Sequence, residues 1–389
     1  MPQFLSYGKQ WVSDDDINAV VEVLRSPYLT QGPAVERFEQ EICDYTGAEF
    51  CVAVANGTAA LHVAVSALML VHGWDPSAAE GITSPITFAA SSNSMIYCGI
   101  RPTFADINPD TYTISPQQIG ARISSKTKLI TPVHFAGQPA DMAAIASIAR
   151  AAGASVIEDA AHAIGSRYSD GDRVGSCKHS EMTIFSFHPV KTVTTGEGGA
   201  ITTNSKELCD KLRLLRSHGI TKDPVLLGQQ PGPWYYEMQE LGFNYRLSDI
   251  HAALGSSQMK RLDSFNQRRR EIVDAYNDAF ADIEWIKTPF ENPDVNSCFH
   301  LYVLQIDFDF LGSSRAAVMG DLRAKSVGTQ VHYIPVHYLP YYRDRYGYTA
   351  GDFPVAEKYY DQALSIPLYP MMSDSDVGHV IEAIRSLGK

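Results

Sequence analysis

The sequence predicts an α/β fold in which helices cover a mostly parallel central sheet and a smaller α+β domain follows. Short apolar segments alternate with segments of helical periodicity through the first part of the chain, which is typical of parallel sheets. Later the order changes to a long helical region followed by separate strand and helix patterns. We therefore expect a large domain over residues 1–250 and a small C-terminal domain over residues 251–389.

The strands of the large domain are predicted from short apolar runs that turn residues bound. The first is FCVAVA (50–55), which ends at Asn56-Gly57. The others are GITSPITF (81–88), RPTFADI (101–107), LITPVHF (129–135), ASVIEDA (154–160) and EMTIFSF (181–187). In the small domain, CFHLYVLQIDF (298–308) and TQVHYIP (329–335) predict two further strands.

The helices are predicted from apolar residues at helical spacing together with start and stop signals. These segments are 13–25, 58–70, 140–153, 210–219, 247–280, 314–326 and 374–388. We expect the longest of them to bend near Gly255. Its charged run Gln267–Arg270 predicts a solvated face.

Composition excludes some classes of function. The net charge of -12 and the pI of about 5.4 argue against nucleic-acid binding as the main activity. No apolar run approaches the roughly 20 residues of a membrane span, and the start of the chain lacks the pattern of a signal peptide. The six cysteines are scattered, which predicts reduced, mostly buried thiols and a cytoplasmic protein.

Ligands of open parallel sheets bind beyond the carboxyl ends of the strands, so polar residues there are candidates for a site. Asn56-Gly57-Thr58-Ala59 lies between a strand and a helix, where unpaired N–H groups suit a phosphate. Ser186 adds a hydroxyl group at another strand end. A capped turn without a ligand is the more common use of such a sequence.

Two acidic residues end the strand ASVIED. Glu158 and Asp159 point to opposite faces, since side chains alternate along a strand, and one of them faces a site. A carboxylate there could hold a pyridinium nitrogen, or it could form a salt bridge or a helix cap. His162 would reach the same region, although an isolated histidine is more often structural.

Lys191 follows the next strand, in FSFHPVKTVTTGEGGA (185–200). Burial lowers the pKa of a lysine, and the neutral amine can form a Schiff base with an aldehyde. The glycines at 196, 198 and 199 match neither a P-loop nor a dinucleotide fingerprint and predict a tight turn into AITTN.

Phe88 stands at a further strand end, where it could stack on a flat heterocycle or belong to the core. Taken together, the four groups specify a flat, phosphorylated aldehyde with a basic ring nitrogen. That ligand is pyridoxal 5'-phosphate, with pyridoxamine 5'-phosphate as its aminated form.

Several stretches resemble the DegT/StrS-type sugar aminotransferases, which have the fold of the type I pyridoxal-phosphate aminotransferases. The matching stretches are LTQGPAVERFE (29–39), NGTAALH (56–62), PVHFAGQPADM (132–142), EDAAHAIGS (158–166), SFHPVKTVTTGEGGAITTN (186–204), LRSHG (215–219), NYRLSDIHAALGSSQMKRLD (244–263) and VHYIP (331–335). Within the family, YYEMQELGFNYRLSDI (235–250) and FSFHPVK are most similar to the transaminases of pseudaminic acid synthesis.

The resemblance implies a role for each matching residue. Lys191 would bind the cofactor and move the proton, Asp159 would pair with the pyridine nitrogen, and His162 would contact the ring hydroxyl. The remaining cofactor contacts would come from Gly57, Thr58, Ala59, Phe88 and Ser186, and from Asn244 across a homodimer with shared active sites. The sugar substrate would contact Tyr7, Tyr28, Leu29, Thr30, His332, Tyr333 and Pro335.

The implied activity is a two-step transfer of an amino group from an amino acid, by family analogy L-glutamate, to C4 of a UDP-4-keto-6-deoxy-N-acetylamino sugar. Another nucleotide-linked 3- or 4-keto sugar is the main alternative, and a cofactor-binding regulator without turnover is a further one. His332 and His337 match no zinc spacing, so no metal is expected.

Overall fold

A computed structural model describes residues 4–387 of the chain. The helices of this part of the chain are α1 Asp14–Arg25, α2 Pro33–Thr46, α3 Gly57–His72, α4 Ala90–Tyr97, α5 Pro116–Arg122, α6 Met142–Ala152, α7 Lys206–Leu215, α8 Asp249–Met259, α9 Leu262–Phe280, α10 Arg315–Ala324, α11 Pro340–Tyr346, α12 Pro354–Gln362 and α13 Asp374–Arg385. The strands are β1 Phe50–Val54, β2 Glu80–Thr83, β3 Arg101–Phe104, β4 Thr127–Thr131, β5 Ser155–Asp159, β6 Met182–Ser186, β7 Gly199–Thr203, β8 Ile220–Thr221, β9 Glu237–Met238, β10 Ile286–Lys287, β11 Tyr302–Ile306 and β12 Ala363–Ile366.

Seven strands form the main sheet in the order β1-β7-β6-β5-β4-β2-β3. The pairs among β2, β3, β4, β5 and β6 are parallel, whereas β7 is antiparallel to both β1 and β6. This arrangement confirms the predicted mostly parallel sheet. The carboxyl ends of the parallel strands share one edge, and β7 begins at that same edge.

Helices cover both faces of this sheet. On β5, Ile157 packs in a core with α3 and α7, whereas its neighbour Val156 packs in a second core with α2, α6 and α8. Ile184 and Phe185 of β6 alternate in the same way. The near-continuous apolar character of the predicted strands follows from this burial on two sides.

A second, antiparallel sheet has the order β10-β11-β12. Its core joins Tyr276 and Phe280 of α9 to Tyr302 and Leu364 of the sheet, and Leu5 from the start of the chain packs there too. The domain boundary at residue 250 stays a prediction. No helix between residues 4 and 387 combines the length and apolar character that a membrane span needs. All six cysteines are free, and five are buried.

The predicted bend at Gly255 is wrong. Gly255 lies inside α8, where a Cβ atom would come within 2.6 Å of the Phe38 ring, so the glycine allows α2 and α8 to pack closely. The helical region is broken instead between Met259 and Leu262.

Two other expectations are also wrong. TQVHYIP forms no strand: its backbone is irregular apart from a single bridge between Gln330 and Ser365. The run Gln267–Arg270 is not wholly solvated, because successive residues of a helix point about 100° apart and Arg269 faces inward. Arg269 is 2% exposed, and burial lowers its pKa to about 10.

Candidate active site

A cavity of about 940 Å³ opens at the edge of the main sheet where the parallel strands end. Its wall combines the start of α3, the ends of β5 and β6, and the irregular segment 330–334. Among the residues predicted for the site, those that line the cavity are Tyr7, Gly57, Thr58, Ala59, Phe88, Asp159, His162, Ser186, Lys191, His332 and Tyr333. The fold therefore brings together residues that lie more than 300 positions apart.

The start of α3 forms a small cradle. Asn56 caps the helix, and its side-chain oxygen accepts the N–H of Ala59 at 2.8 Å. The N–H groups of Gly57 and Thr58 stand in the first turn, where no helical carbonyl can pair with them. A Cβ atom on Gly57 would lie 2.8 Å from the Cβ and 3.1 Å from the Oγ of Ser186, so only glycine leaves this space open.

The two acidic residues of β5 have separate surroundings. Glu158 is inaccessible to solvent; its carboxylate contacts His134 Nε2 at 2.7 Å and accepts hydrogen bonds from the hydroxyl groups of Tyr168, Ser180 and Thr183. These bonds hold the pKa of Glu158 below its usual value although burial opposes them. Its role is therefore structural.

Asp159 faces the cavity instead. Its Oδ2 accepts the Ser91 hydroxyl at 2.7 Å, and its Oδ1 accepts the N–H of Ala161 at 3.1 Å. Burial raises the pKa of Asp159, whereas these bonds and the nearby Lys191 oppose the rise. The alternation that predicted opposite faces is confirmed, and the geometry identifies Asp159 as the residue that faces the cavity.

Lys191 extends into the cavity from the loop between β6 and β7. Burial lowers its pKa to about 8, although the negative charge of Asp159 opposes this effect. No residue between 4 and 387 forms a hydrogen bond or an ion pair with its side-chain amine. An amine with a lowered pKa and no partner is suited to act as a nucleophile and a proton carrier.

His162 and Tyr333 both line the cavity and contact each other through a hydrogen bond. His162 Nδ1 accepts the N–H of Ala136 at 3.3 Å, and its Nε2 lies 3.1 Å from the hydroxyl oxygen of Tyr333. Burial holds the pKa of His162 well below its usual value, so the ring is neutral near pH 7 and the proton sits on Nε2. His300 packs against the same ring, with centroids 4.5 Å apart.

The aromatic residues predicted for the site form its outer wall. Phe88 is 64% exposed, so it does not belong to the hydrophobic core. Its ring centroid lies 6.3 Å from that of Tyr333. Tyr7 packs against His332 with centroids 5.1 Å apart. Burial lowers the pKa of His332 to about 3, so this ring is also neutral.

Several predicted residues lie outside this cavity. Tyr28 lines a separate cleft, and Leu29, Thr30, Pro335 and Asn244 line neither. Asn244 is exposed on the same segment as Tyr245, which does line the cavity. The roles expected for these residues stay predictions.

Other residues that line the cavity were not predicted, among them Thr87, Tyr97, His188, Glu197, Tyr245 and His300. Thr87 and His188 stand next to predicted site residues, so proximity along the chain was a usable signal. His300 lies beyond residue 250 and precedes a buried strand, where no local pattern marks it. No group of three or more possible metal ligands occurs within residues 4–387.

These residues fit pyridoxal phosphate by their chemistry. The open cradle at Gly57 offers N–H donors and a hydroxyl group to a phosphate, and the Asp159 carboxylate can pair with a protonated ring nitrogen. Lys191 offers a free amine that could bind the aldehyde carbon. The fold and this site together define a pyridoxal-phosphate enzyme of the aminotransferase class.

The comparisons with known proteins give the family. Residues 11–385 match the model of the DegT/DnrJ/EryC1/StrS aminotransferase family, and the chain belongs to that family. Pyridoxal phosphate is therefore its cofactor, and it is a sugar aminotransferase.

Individual relatives span the whole chain. The spore coat polysaccharide biosynthesis protein SpsC of Bacillus subtilis is 43% identical over 99% of this chain and 97% of its own. Helicobacter pylori PseC, an aminotransferase involved in the biosynthesis of pseudaminic acid, superposes with a TM-score of 0.91 at 28% identity over 99% of both chains. Spr1654 of Streptococcus pneumoniae, solved in its PLP form, gives a TM-score of 0.88 at 28% identity over 99% of this chain and 98% of its own.

Proposed function

We propose that this enzyme transfers an amino group from L-glutamate to C4 of a UDP-4-keto-6-deoxy-N-acetylamino sugar, in the pathway to pseudaminic acid. The observation that carries the choice of substrate is the likeness to PseC, whose TM-score of 0.91 extends over 99% of both chains. The cavity of about 940 Å³ is near the upper end of small-molecule sites, which leaves room for a substrate beside the cofactor.

The chemistry of the site follows from its residues. The cofactor, when bound, supplies an electron sink for the carbon that gains or loses the amino group. Asp159 offers a carboxylate to the ring nitrogen, and the cradle at Gly57, Thr58 and Ser186 holds the phosphate. Lys191 has a pKa of about 8, so it can both accept and return a proton near neutral pH, as a general acid–base requires.

The outer wall suits a sugar substrate. Phe88, Tyr7 and Tyr333 offer aromatic faces, and the neutral ring of His332 offers a polar edge. Sugars present both apolar C–H faces and hydroxyl groups, so such a wall can contact them in two ways. We place the sugar between this wall and Lys191.

A different nucleotide-linked 3- or 4-keto sugar is the second candidate. The 43% identity with SpsC favours it, because that relative is named for spore coat polysaccharide biosynthesis and not for pseudaminic acid. A regulator without turnover has less support, since a regulator has no need of an unpaired amine of lowered pKa in the cavity.

The proposal includes a homodimer with shared sites, in which Asn244 and the segment Tyr28–Thr30 complete the partner's cavity, and a cytoplasmic location. Asn244, Tyr28, Leu29 and Thr30 are all exposed, as contacts with a second subunit would require.

Product analysis tests the substrate. Purified enzyme with pyridoxal phosphate and L-glutamate is incubated with a small panel of UDP- and dTDP-linked 3- and 4-keto sugars, and NMR identifies the aminated carbon. We expect turnover of the UDP-4-keto-6-deoxy-N-acetylamino sugar, with nitrogen at C4. Preference for a dTDP-linked or a 3-keto sugar would support the second candidate instead. The Lys191→Ala enzyme is the blank for non-enzymatic amination.

A further inference from the structure

Two buried hydroxyl groups, those of Ser91 and Thr87, form a hydrogen-bonded chain to the Asp159 carboxylate. Ser91 Oγ lies 2.7 Å from Asp159 Oδ2, and Thr87 Oγ1 lies 2.7 Å from Ser91 Oγ. Ser91 is inaccessible to solvent and Thr87 is 3% exposed. Thr87 precedes α4 and Ser91 lies in its first turn, so a spacing of four residues brings both hydroxyl groups together.

The direction of these hydrogen bonds follows from the donors available. An ionised carboxylate only accepts, so the Ser91 hydroxyl donates to Asp159. A hydroxyl group has one proton, so the Ser91 oxygen must accept from Thr87. With Asp159 ionised, the result is a directed chain of hydrogen bonds from Thr87 through Ser91 to Asp159.

The second oxygen of the carboxylate is also fixed. Asp159 Oδ1 accepts the N–H of Ala161 at 3.1 Å, and the backbone of Asp159 bonds to that of Pro132 and His134. Each carboxylate oxygen thus has one protein donor and keeps lone pairs for a group in the cavity. The orientation of the carboxylate is set before any ligand binds.

Burial works against the charge on Asp159. It raises the pKa of this carboxyl, and the Ser91 hydroxyl is foremost among the groups that oppose the rise, ahead of Ala161, Lys191 and His134. Hydrogen bonds to a charged group are stronger than those between neutral groups, and more so away from water. Only the ionised carboxylate stabilises a protonated ring nitrogen.

We infer that Ser91, supported by Thr87, is a positioning residue of this enzyme, which keeps the Asp159 carboxylate ionised and directed at the ring nitrogen of the cofactor. The inference rests on the role proposed above for Asp159. It does not depend on which sugar or amino donor the enzyme uses.

The neighbouring serine provides a matched control. Ser92 is equally inaccessible to solvent, and its hydroxyl group bonds to the Tyr342 hydroxyl at 2.7 Å, with no bond to Asp159. Ser91→Ala and Ser92→Ala therefore remove the same atom from the same helix at the same depth. Only Ser91→Ala removes a donor from Asp159.

The first measurement is the titration of cofactor-free enzyme with pyridoxal phosphate, followed by absorbance. We expect Ser91→Ala to weaken binding about tenfold or more, the size expected for the loss of one hydrogen bond to a charged group. Ser92→Ala should stay within about twofold of the unmodified enzyme. Equal affinities of the two variants would overturn the inference.

The second measurement separates positioning from packing. In the Asp159→Asn background the charged acceptor is gone, so Ser91→Ala should weaken pyridoxal phosphate binding little further. If Ser91→Ala lowers the affinity for pyridoxal phosphate as much in this background as it does when Asp159 is native, Ser91 acts through packing. That result would overturn the inference.

The conservative variants complete the test. Ser91→Thr keeps the hydroxyl group and should therefore bind pyridoxal phosphate with nearly the affinity of the unmodified enzyme. Thr87→Val has a similar shape but no hydroxyl group, so it deprives Ser91 of its donor and should lower that affinity in part. If Ser91→Thr does not fold, Thr87→Val decides alone: affinity unchanged from the unmodified enzyme contradicts the chain of hydroxyl groups. These binding measurements use no sugar substrate. If none of the keto sugars tested under the proposed function were aminated, the expected binding results would be unchanged, so the two proposals can be refuted independently.

Discussion

Glu158 and Asp159 are consecutive residues of β5, yet their carboxylates serve different purposes on opposite faces of the sheet. Glu158 has four side-chain partners within the protein and no access to solvent. Asp159 keeps lone pairs for the cavity, where Lys191 is close enough to act on its charge. Substitutions at these two positions should therefore separate stability from catalysis.

Glu158→Gln should destabilise the fold. The change removes the carboxylate that contacts His134 Nε2 at 2.7 Å and replaces an acceptor by a donor among hydroxyl groups. We expect a loss of about 3 kcal/mol in the free energy of unfolding. Urea denaturation of the cofactor-free protein measures it, and unchanged stability would show that the network contributes no net free energy.

Asp159→Asn should affect catalysis instead. Asparagine has the same shape but no charge, so it cannot hold a ring nitrogen in its protonated form. We expect the rate of amino transfer in a single turnover to fall by about two to three orders of magnitude, in the range of a lost electrostatic stabiliser. The melting temperature should change little. A rate close to that of the unmodified enzyme would remove Asp159 from its assigned role.

Lys191→Ala should abolish turnover of the keto sugar, because no other lysine lines the cavity among the described residues. Absorbance should also show no covalent adduct with pyridoxal phosphate. Lys206→Ala, which removes an exposed lysine paired with Asp210, is the control and should behave like the unmodified enzyme. Normal turnover by Lys191→Ala would refute the assignment of the nucleophile.

The reactivity of Lys191 should depend on pH in a defined way. Its pKa of about 8 in the cofactor-free protein means that the amine loses its proton as pH rises through 8, well before exposed lysines do near 10.4. Labelling with an amine-selective reagent, read by peptide mass spectrometry, should give a midpoint near pH 8 at Lys191. A midpoint that coincides with that of Lys206 would contradict the effect of burial.

Gly57→Ala should weaken the binding of pyridoxal phosphate. The added Cβ atom would lie 2.8 Å from the Cβ of Ser186, so the start of α3 must shift within the phosphate cradle. We expect at least a tenfold loss of affinity, similar to that of other overpacked sites. Gly320→Ala, in a helix with open space around it, is the control. Equal affinity of Gly57→Ala and the unmodified enzyme would place the phosphate elsewhere.

Subunit mixing tests the shared site. If the protein is a dimer with shared sites as proposed, a mixed dimer of Lys191→Ala and Asn244→Ala subunits contains one cavity in which both residues are native. If each cavity takes Asn244 from its partner, mixing the two impaired variants should restore activity at about a quarter of the sites, as random pairing predicts. No gain over the separate variants would mean that each subunit completes its own cavity.

The sequence predicted the main sheet well because strand and helix periods are local properties. It also predicted the cavity residues that end strands, because parallel strands end at one edge. Alternation along the strand predicted that Asp159 and Glu158 lie on opposite faces of the sheet. It could not predict which of the two faces the cavity, since alternation alone does not say which face holds the ligand. The place of His300 in the cavity wall could not be predicted, because packing between segments distant in the sequence brings it next to His162.

The wrong expectations also have physical causes. Glycine in a helix signals either a bend or close packing, and at Gly255 the Phe38 ring decides in favour of packing. The charged run at 267–270 was interpreted by composition, whereas Arg269 is held inside by the backbone carbonyls of Phe299, His300 and Leu368. Tertiary partners of this kind leave no mark in the local sequence.

The reversed direction of β7 has a mechanical consequence for the catalytic lysine. Ser186 and Gly199 are direct partners across β6 and β7, so the loop that carries Lys191 is clamped at both ends like a short hairpin. A Cβ atom on Gly199 would come within 2.6 Å of the Asn56 carbonyl carbon, so this pair of strands packs directly against the turn proposed to hold the phosphate. The sheet therefore fixes the loop of Lys191 relative to the start of α3, and it would set the separation of the two groups proposed to hold the cofactor.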